Sequence, residues 1–313
     1  MRIYRTLTPC GEPTAVALGY FDGIHLGHRA VIGAAAQCRS QGLAPAVFTF
    51  AKTPKRGTES EQLLCFERKV ELLEEIGIEI LYIIDFETVR EKTPEQFVTE
   101  VLKGVFNAKR VFCGYNYHFG KNGSATGAEL KTLCEKYGIT AQVKSPVMID
   151  GEPVSSTKIR AAIKDGDIKT ADKMLGRDFA VISRSIEGSH IGSSIGTPTI
   201  NQRFRSDSVL PKFGVYASEV ILDGEKHIGV TNIGVKPTVS DANTPNCETW
   251  MPLYGGGELY GKRIEVRLKE FLRPEKRFDS LDELKKAIKA DGEKAVNILS
   301  EKHRKNRIPN TNA

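Results

Sequence analysis

Along the first half of the chain, short apolar runs rich in β-branched residues alternate with stretches whose apolar positions recur every three or four residues. The runs "TAVALGYF", "PAVFTF", "ILYIIDF" and "RVFCGY" read as strands, and "HRAVIGAAAQCRSQG", "CFERKVELLEEIG", "TPEQFVTEVLKGV" and "ATGAELKTLCEKYG" read as helices. The strand runs lack strict apolar–polar alternation, as expected of a parallel sheet with helices on both faces. Strand, helix, strand at this spacing requires crossover connections, so the pattern predicts a doubly wound α/β domain.

Two helical stretches, "VSSTKIRAAIKDG" and "KTADKMLG", close that domain, and the texture changes at "RDFAVISRS". Beyond it, β-type runs such as "GVYASEVIL", "KHIGVTNIG", "CETWMPL" and "KRIEVRLKEFL" are separated by glycine and proline, the pattern of an antiparallel barrel. "DSLDELKKAIKADGEKAVNILSEKH" reads as a terminal helix opened by a Ser280–Glu283 capping box, with Leu281, Leu284, Ile288, Val296 and Leu299 facing inward. The division expected is 1–180, 181–305 and a polar tail at 306–313. Glycines at 188, 192 and 196 are the one repeated spacing.

Composition narrows the picture only a little. At 313 residues, 40% hydrophobic and 27% charged, the chain is long enough for two cored domains. A net charge of +6 is spread along the chain, a weak preference for anionic ligands. No basic stripe interleaved with aromatics marks a nucleic-acid surface. No apolar stretch of membrane-spanning length is seen, so no membrane partner is expected. The six cysteines form no CxxC pair or zinc-type spacing, and no secretory-type leader is read, so reduced thiols and a cytoplasmic location are expected.

Candidate chemistry begins at "LGYFDGIHLGHR", where the first strand gives way to the first helix. In a doubly wound sheet, ligands bind beyond the carboxyl ends of the strands. Gly19, Gly23 and Gly27 remove Cβ atoms where backbone must turn tightly or a ligand come close, and the helix start presents unpaired N–H groups to an anion. His25 and His28, three apart, can aim ring donors at one point. No Walker A and no GxGxxG pattern occurs, so imidazoles would take over the phosphate contacts. The competing readings are two histidines capping a helix, or half of a metal site. A second signal is "SSTKIR": Ser155, Ser156 and Thr157 suit helix caps, and with Lys158 and Arg160 they make a second anion site suited to a triphosphate.

These motifs, with "YNYHFGKNGSATG" and "VSSTKIRAAIKDGDI", resemble the nucleotidyltransferase superfamily related to class I aminoacyl-tRNA synthetases, and within it the adenylyltransferase half of bacterial riboflavin kinase/FAD synthetase. The second half resembles that family's kinase domain through "GTPTIN", "GVYASEV", "GVTNIGVKPT", "CETW", "LYGKRIEV" and "FLRPEKRF", in the same order. The resemblance implies a Rossmann-like nucleotidyltransferase domain followed by a riboflavin-kinase-type β-barrel with a terminal helix. It implies riboflavin, FMN and ATP as substrates, Mg²⁺ as cofactor, and FAD as the final product. Gly19, Asp22, His25, His28, Ser155, Ser156, Thr157 and Arg160 would bind nucleotide, with His28 and Arg160 catalytic. Asn116, otherwise an ordinary turn residue, would touch flavin or phosphate. In the barrel, Glu248 matches the family's base, and Thr199 and Asn201 match the residues that hold Mg²⁺ and ATP phosphates.

The chain departs from that family at Ala51 and Thr53, where an aspartate and a histidine are common, at Ser193 and Ser194, where an arginine commonly precedes the glycine, and at Trp250, which replaces a histidine. These leave a second reading open: an adenylyltransferase whose barrel is a non-catalytic flavin-binding or regulatory module. A class I synthetase is disfavoured because no KMSKS-type loop or tRNA-binding appendage is evident. A monomer or weak oligomer is expected.

Overall fold

The computed structural model describes residues 1–51, 61–187, 199–235, 245–257 and 259–305. Thr53, Gly188, Gly192, Ser193, Ser194, Gly196 and the 306–313 tail lie outside these residues. Two compact units are present, Met1–Ser156 and Thr157–Ala313.

The first unit is built on six parallel strands: β1 (Arg2–Tyr4), β2 (Thr14–Leu18), β3 (Ala44–Phe50), β4 (Ile80–Ile84), β5 (Ala108–Gly114) and, after the small strands β6 (His118–Phe119) and β7 (Ala125–Thr126), β8 (Thr140–Lys144). Their order is β1-β4-β3-β2-β5-β8, the doubly wound arrangement whose order reverses beside β2. Successive residues of β2 explain its unbroken apolar run. Val16 and Leu18 join Phe48, Tyr82, Phe97, Phe106 and Leu130 on one face. Ala15 and Ala17 join Ile32, Val47, Leu73 and Phe112 on the other. Each fully buried aliphatic side chain contributes about 1.5–3 kcal/mol.

Helices divide between the faces accordingly. α1 (Leu26–Gln37) and α2 (Phe66–Ile76) supply Val31, Ile32, Leu72 and Leu73 to the second cluster. α3 (Pro94–Gln96), which runs on as a π-helical stretch Phe97–Val105, and α4 (Gly127–Lys136) serve the first. A capping box at Thr93 and Gln96 opens the former, and another at Thr126 and Glu129 the latter. A short pair, β9 (Met148–Ile149) and β10 (Glu152–Pro153), leads into α5 (Ser156–Asp165) and α6 (Ile168–Leu175). From Thr157 onward these helices belong to the second unit, where the Lys212 amide donates to the Ile163 carbonyl (3.2 Å) and α6 packs on the barrel strand that follows Lys262.

That unit holds β11 (Ala180–Arg184), β12 (Thr199–Arg203), β13 (Gly214–Leu222), β14 (Glu225–Val235), β15 (Pro245–Trp250) and β16 (Arg263–Arg273), in the order β11-β16-β13-β14-β15-β12, all antiparallel. Register shifts between β13 and β16 curl the sheet. An antiparallel bridge from Ile186 to Asn201 brings its edges together. Gln202, fully buried, spans this seam by donating to the Ser183 carbonyl (3.1 Å) and the Ile264 carbonyl (2.9 Å). Inside, hydroxyls of Ser218, Thr231 and Thr249 form a buried chain (2.7 and 2.8 Å).

The terminal helix α7 (Leu281–Lys305) lies on the outer face of the barrel, where Ala295 meets Val215, Ala217 and Val230. The Ser280 hydroxyl accepts from the Glu283 amide (3.3 Å), as the capping motif predicts. The inward stripe differs from expectation at its start and in its middle. Leu281 is 60% exposed, whereas Asp291 and Gly292, polar or small in sequence, are buried. Asp291 is bound by the Arg273 guanidinium through three hydrogen bonds of 2.8 to 3.2 Å, tying the end of β16 to α7.

Candidate active sites

At the end of β2 the chain enters α1 through an unusual turn. Phe21 (φ +52°), Gly23 (φ +88°) and Ile24 (φ +39°) all take the left-handed region, which a β-branched isoleucine rarely occupies. Such strain persists only where surroundings over-determine it. Here the Tyr20 carbonyl accepts from the Thr49 hydroxyl (2.8 Å) and from the Lys69 ammonium (3.2 Å). The Asp22 carboxylate accepts from the Leu63 amide (3.0 Å), and the Asp22 carbonyl accepts from the Ser156 hydroxyl (2.8 Å). Gly19 leaves room for the Phe21 ring, which a Cβ there would meet at 2.8 Å. Gly27 makes room in the same way for the His25 ring (3.1 Å).

His25 is the N-cap of α1, its Nδ1 accepting from the His28 amide (3.2 Å). That acceptor role assigns the proton of neutral His25 to Nε2. The two imidazoles stack, with centroids 3.5 Å apart and planes 19° from parallel, and Phe21 meets His28 edge-on at 5.3 Å. Two donor rings are thus fixed at a helix N-terminus, where free N–H groups and the helix dipole favour an anion.

Parallel register pairs Leu18 with Cys113, so the turns after β2 and β5 leave the sheet at one level, at the switch point. Asn116 is exposed in the second of these turns, closed by a Tyr117 amide to Gly114 carbonyl bond (3.1 Å). Asp22, His25, His28, Asn116 and Ser156, with Ser155 just before it, therefore all fall within the first unit. Thr157, Lys158 and Arg160 continue along α5 in the second, Arg160 one helical turn beyond Ser156.

Strand register builds the other constellation. Asn201 of β12 pairs with Glu248 of β15, which pairs with Asn232 of β14, so three polar side chains form one row across three strands. Because side chains alternate, this row shares the outer face with Thr199, Trp250 and Val230 on one side and Asn246 and Gly234 on the other. Asn246 donates to the Glu248 carboxylate (3.1 Å). Asn232 donates to Glu275 (3.2 Å), whose carboxylate occupies the space a side chain at Gly234 would need. The Asn201 side chain donates to the Thr199 carbonyl (3.3 Å) and hydroxyl (3.4 Å), while its Oδ1 is buried with no hydrogen-bond partner among the described residues. Trp250 packs instead on α7, its ring 2.7 Å from where a Cβ of Gly292 would stand.

Thiol chemistry is not part of either site. Burial pushes Cys113 up to about 11 and Cys134 and Cys247 up to about 12, leaving protonated, weakly nucleophilic groups. Among the described residues no cluster of three or more histidine, cysteine or acidic side chains could hold a metal, and no helix is long and apolar enough to cross a membrane.

Comparison with known proteins decides which family the two halves of the chain belong to. The FAD synthetase family model matches residues 8–158 and the riboflavin kinase model residues 175–299. A bifunctional riboflavin kinase/FMN adenylyltransferase of Bacillus subtilis is 33% identical over 92% of this chain and 93% of its own. The chain belongs to this bifunctional family. It therefore makes FMN from riboflavin and FAD from FMN, using ATP. Relatives of the same description from Listeria monocytogenes and Escherichia coli are 34% and 32% identical, over 88% and 90% of this chain and 89% and 91% of theirs. A solved Streptococcus pneumoniae structure, described as a macrolide-efflux protein, matches at 28% identity with a TM-score of 0.84, covering 94% of this chain and 98% of that one.

Four residues beside these sites are missed in the sequence as individuals: Lys69, Asn232, Asn246 and Glu275. The last three lie in or beside the quoted kinase motifs, and two-residue alternation from Glu248 would have found Asn246. Lys69 carries no sequence signal, since a lysine on an amphipathic helix is ordinarily solvated.

Proposed function

We propose that the two reactions use the two constellations as follows, each by the means its nucleophile requires. In the first half, a phosphate oxygen of FMN attacks the α-phosphorus of ATP and pyrophosphate leaves. That oxygen is already ionised, so no base is needed, and catalysis reduces to positioning and charge stabilisation. His25 and His28 donate to the ATP phosphates with the N–H groups of α1, and His28 and Arg160 follow the charge that develops on the α-phosphate and the departing pyrophosphate. Ser155, Ser156 and Thr157 add donors from the start of α5, and Gly19 and Asp22 shape the turn. Asn116 contacts flavin or its phosphate.

In the barrel, the nucleophile is an alcohol that must lose a proton. Glu248 accepts it from the ribityl hydroxyl of riboflavin as the oxygen attacks the γ-phosphorus of ATP and ADP departs. Asn232 and Asn246, on either side in register and along the strand, hold the carboxylate's surroundings polar. Thr199 and Asn201 are the residues that would hold Mg²⁺. A buried amide oxygen with no donor among the described residues, beside a hydroxyl, fits a cation that prefers hard oxygen ligands. Bound there, magnesium would neutralise charge on the ATP phosphates.

The observation that carries this assignment is the Asn201–Glu248–Asn232 row, because a barrel retained only to bind flavin has no need of an aligned carboxylate. Trp250 is accounted for by packing on α7 and does not count against catalysis. On this reading the functional division stays near residue 180, since Arg160 serves the first reaction. The protein works as a monomer or weak oligomer in the cytoplasm, in keeping with six free cysteines. The test is a time course of purified protein with riboflavin and ATP-Mg, followed by chromatography of the flavins. FMN should appear first and FAD later, and Glu248→Ala should abolish the first product while FMN supplied directly still becomes FAD.

A further inference from the structure

Lys69 has no part in either reaction as described, yet its placement is costly. It lies on α2 with 7% of its surface exposed, its ammonium donating to the Tyr20 carbonyl and standing 4.9 Å from the centre of the Tyr20 ring. Burial pulls its pKa below the ordinary lysine value, and the carboxylate of Asp22 opposes that shift. Among the described residues Asp22 is the charged group that acts on it; from β3, the Thr49 hydroxyl shares the same Tyr20 carbonyl. A methionine or leucine would fill this space without desolvating a charge. The carbonyl that Lys69 holds belongs to the residue just before Phe21, where the left-handed turn begins, and Asp22 is the next residue after Phe21. The cation thus grips the start of the strained segment that delivers His25 and His28.

We propose that Lys69 is a positioning residue for adenylyl transfer. Bonded to the Tyr20 carbonyl and facing Asp22, its ammonium holds the turn from Phe21 to Ile24 in the conformation that sets both imidazoles against the ATP phosphates. The inference rests on the assignment of the His25–His28 loop to the nucleotide. It makes the loop's geometry depend on a charge behind it, so neutralising Lys69 misaligns donors that are themselves untouched.

The test uses the full-length chain in three variants, Lys69→Met, Lys69→Arg and His28→Ala, assayed for both activities. Lys69→Met should lower kcat for FAD synthesis from FMN and ATP about 10 to 100-fold, the loss of one to two aligned charge-assisted contacts, with a smaller change in KM. Riboflavin phosphorylation by the same sample should be unchanged, showing that the chain is folded. Lys69→Arg, charged at every accessible pH, should retain FAD synthesis and hold it to higher pH than the native enzyme, where burial lowers the pKa of Lys69 and its loss of a proton should bring an alkaline fall. FAD synthesis within about twofold of native in Lys69→Met, or an alkaline fall unaltered in Lys69→Arg, overturns the proposal. Should Lys69→Met lose both activities, the pH profile of Lys69→Arg decides. If His28→Ala is impaired and Lys69→Met is not, only the role of Lys69 falls. If His28→Ala is fully active, the nucleotide assignment falls with it.

Discussion

On the proposed assignment, the adenylyl-transfer loop and the kinase row solve opposite problems with opposite kinds of backbone. The loop after β2 bends through three left-handed residues and is fixed by bonds from β3, α2, the Leu63 amide and Ser156. The row from Asn201 through Glu248 to Asn232 is regular antiparallel sheet, and register alone sets its spacing. A reaction between two anions needs convergent donors at a helix start, which only an irregular turn delivers. A reaction that removes a proton needs one carboxylate with polar neighbours, and a pleated sheet supplies these side by side. The difference teaches that strain is found where donors must converge and is absent where a base must be aligned.

The sharpest way to break this comparison is at the base. Glu248→Gln keeps shape and a hydrogen-bonding partner for Asn246, so FMN formation should fall about 10² to 10⁴-fold while FAD synthesis from supplied FMN is unaffected. Discontinuous assays with each flavin substrate separate the two. If both activities fall together, the halves are not chemically independent as described.

Next in size is the tie between β16 and α7. Arg273→Ala strands the buried Asp291 carboxylate on α7 and should cost about 3 kcal/mol, the low end for breaking such a pair, because Arg273 keeps 25% of its side chain exposed. Calorimetry should show the transition of the second unit lowered, with kinase activity lost at a temperature that spares FAD synthesis.

On the other side of the comparison, His28→Ala removes one charge-assisted donor worth about 1.5–3 kcal/mol, so FAD synthesis should fall about 10 to 100-fold. Riboflavin phosphorylation is the internal control. The smallest effect expected is that of Gly234→Ala. The added methyl displaces the Glu275 carboxylate from Asn232, a loss of about 1 kcal/mol, or about fivefold in kcat/KM of the kinase alone.

The sequence made the strands and the order of motifs readable because burial on both faces leaves an apolar run, as in β2, and turns leave glycine and proline. It also offered the two histidines as candidates through their spacing, and Glu248 through the family resemblance. What it hid depends on contacts distant along the chain. Asn232 becomes a neighbour of Glu248 only through the pairing of β14 with β15. Trp250, read as a departure from the kinase pattern, is in fact held against Gly292, 42 positions along, by the packing of α7. Leu281 fits the helical stripe by period but falls on the first turn of α7, where it is 60% exposed. The strain at Phe21 and Ile24 is invisible because neither residue type announces a left-handed backbone.

One detail of the barrel reaches further than its size suggests. Asn201 closes the cylinder through its main-chain carbonyl, which accepts from the Ile186 amide at 2.8 Å, and the amide oxygen at the other end of the same residue is the one proposed to hold magnesium. On that proposal, the zip of the staves and the cradle of the triphosphate are one mechanical part. A cylinder that gapes at that join would displace the very residue meant to grip the nucleotide.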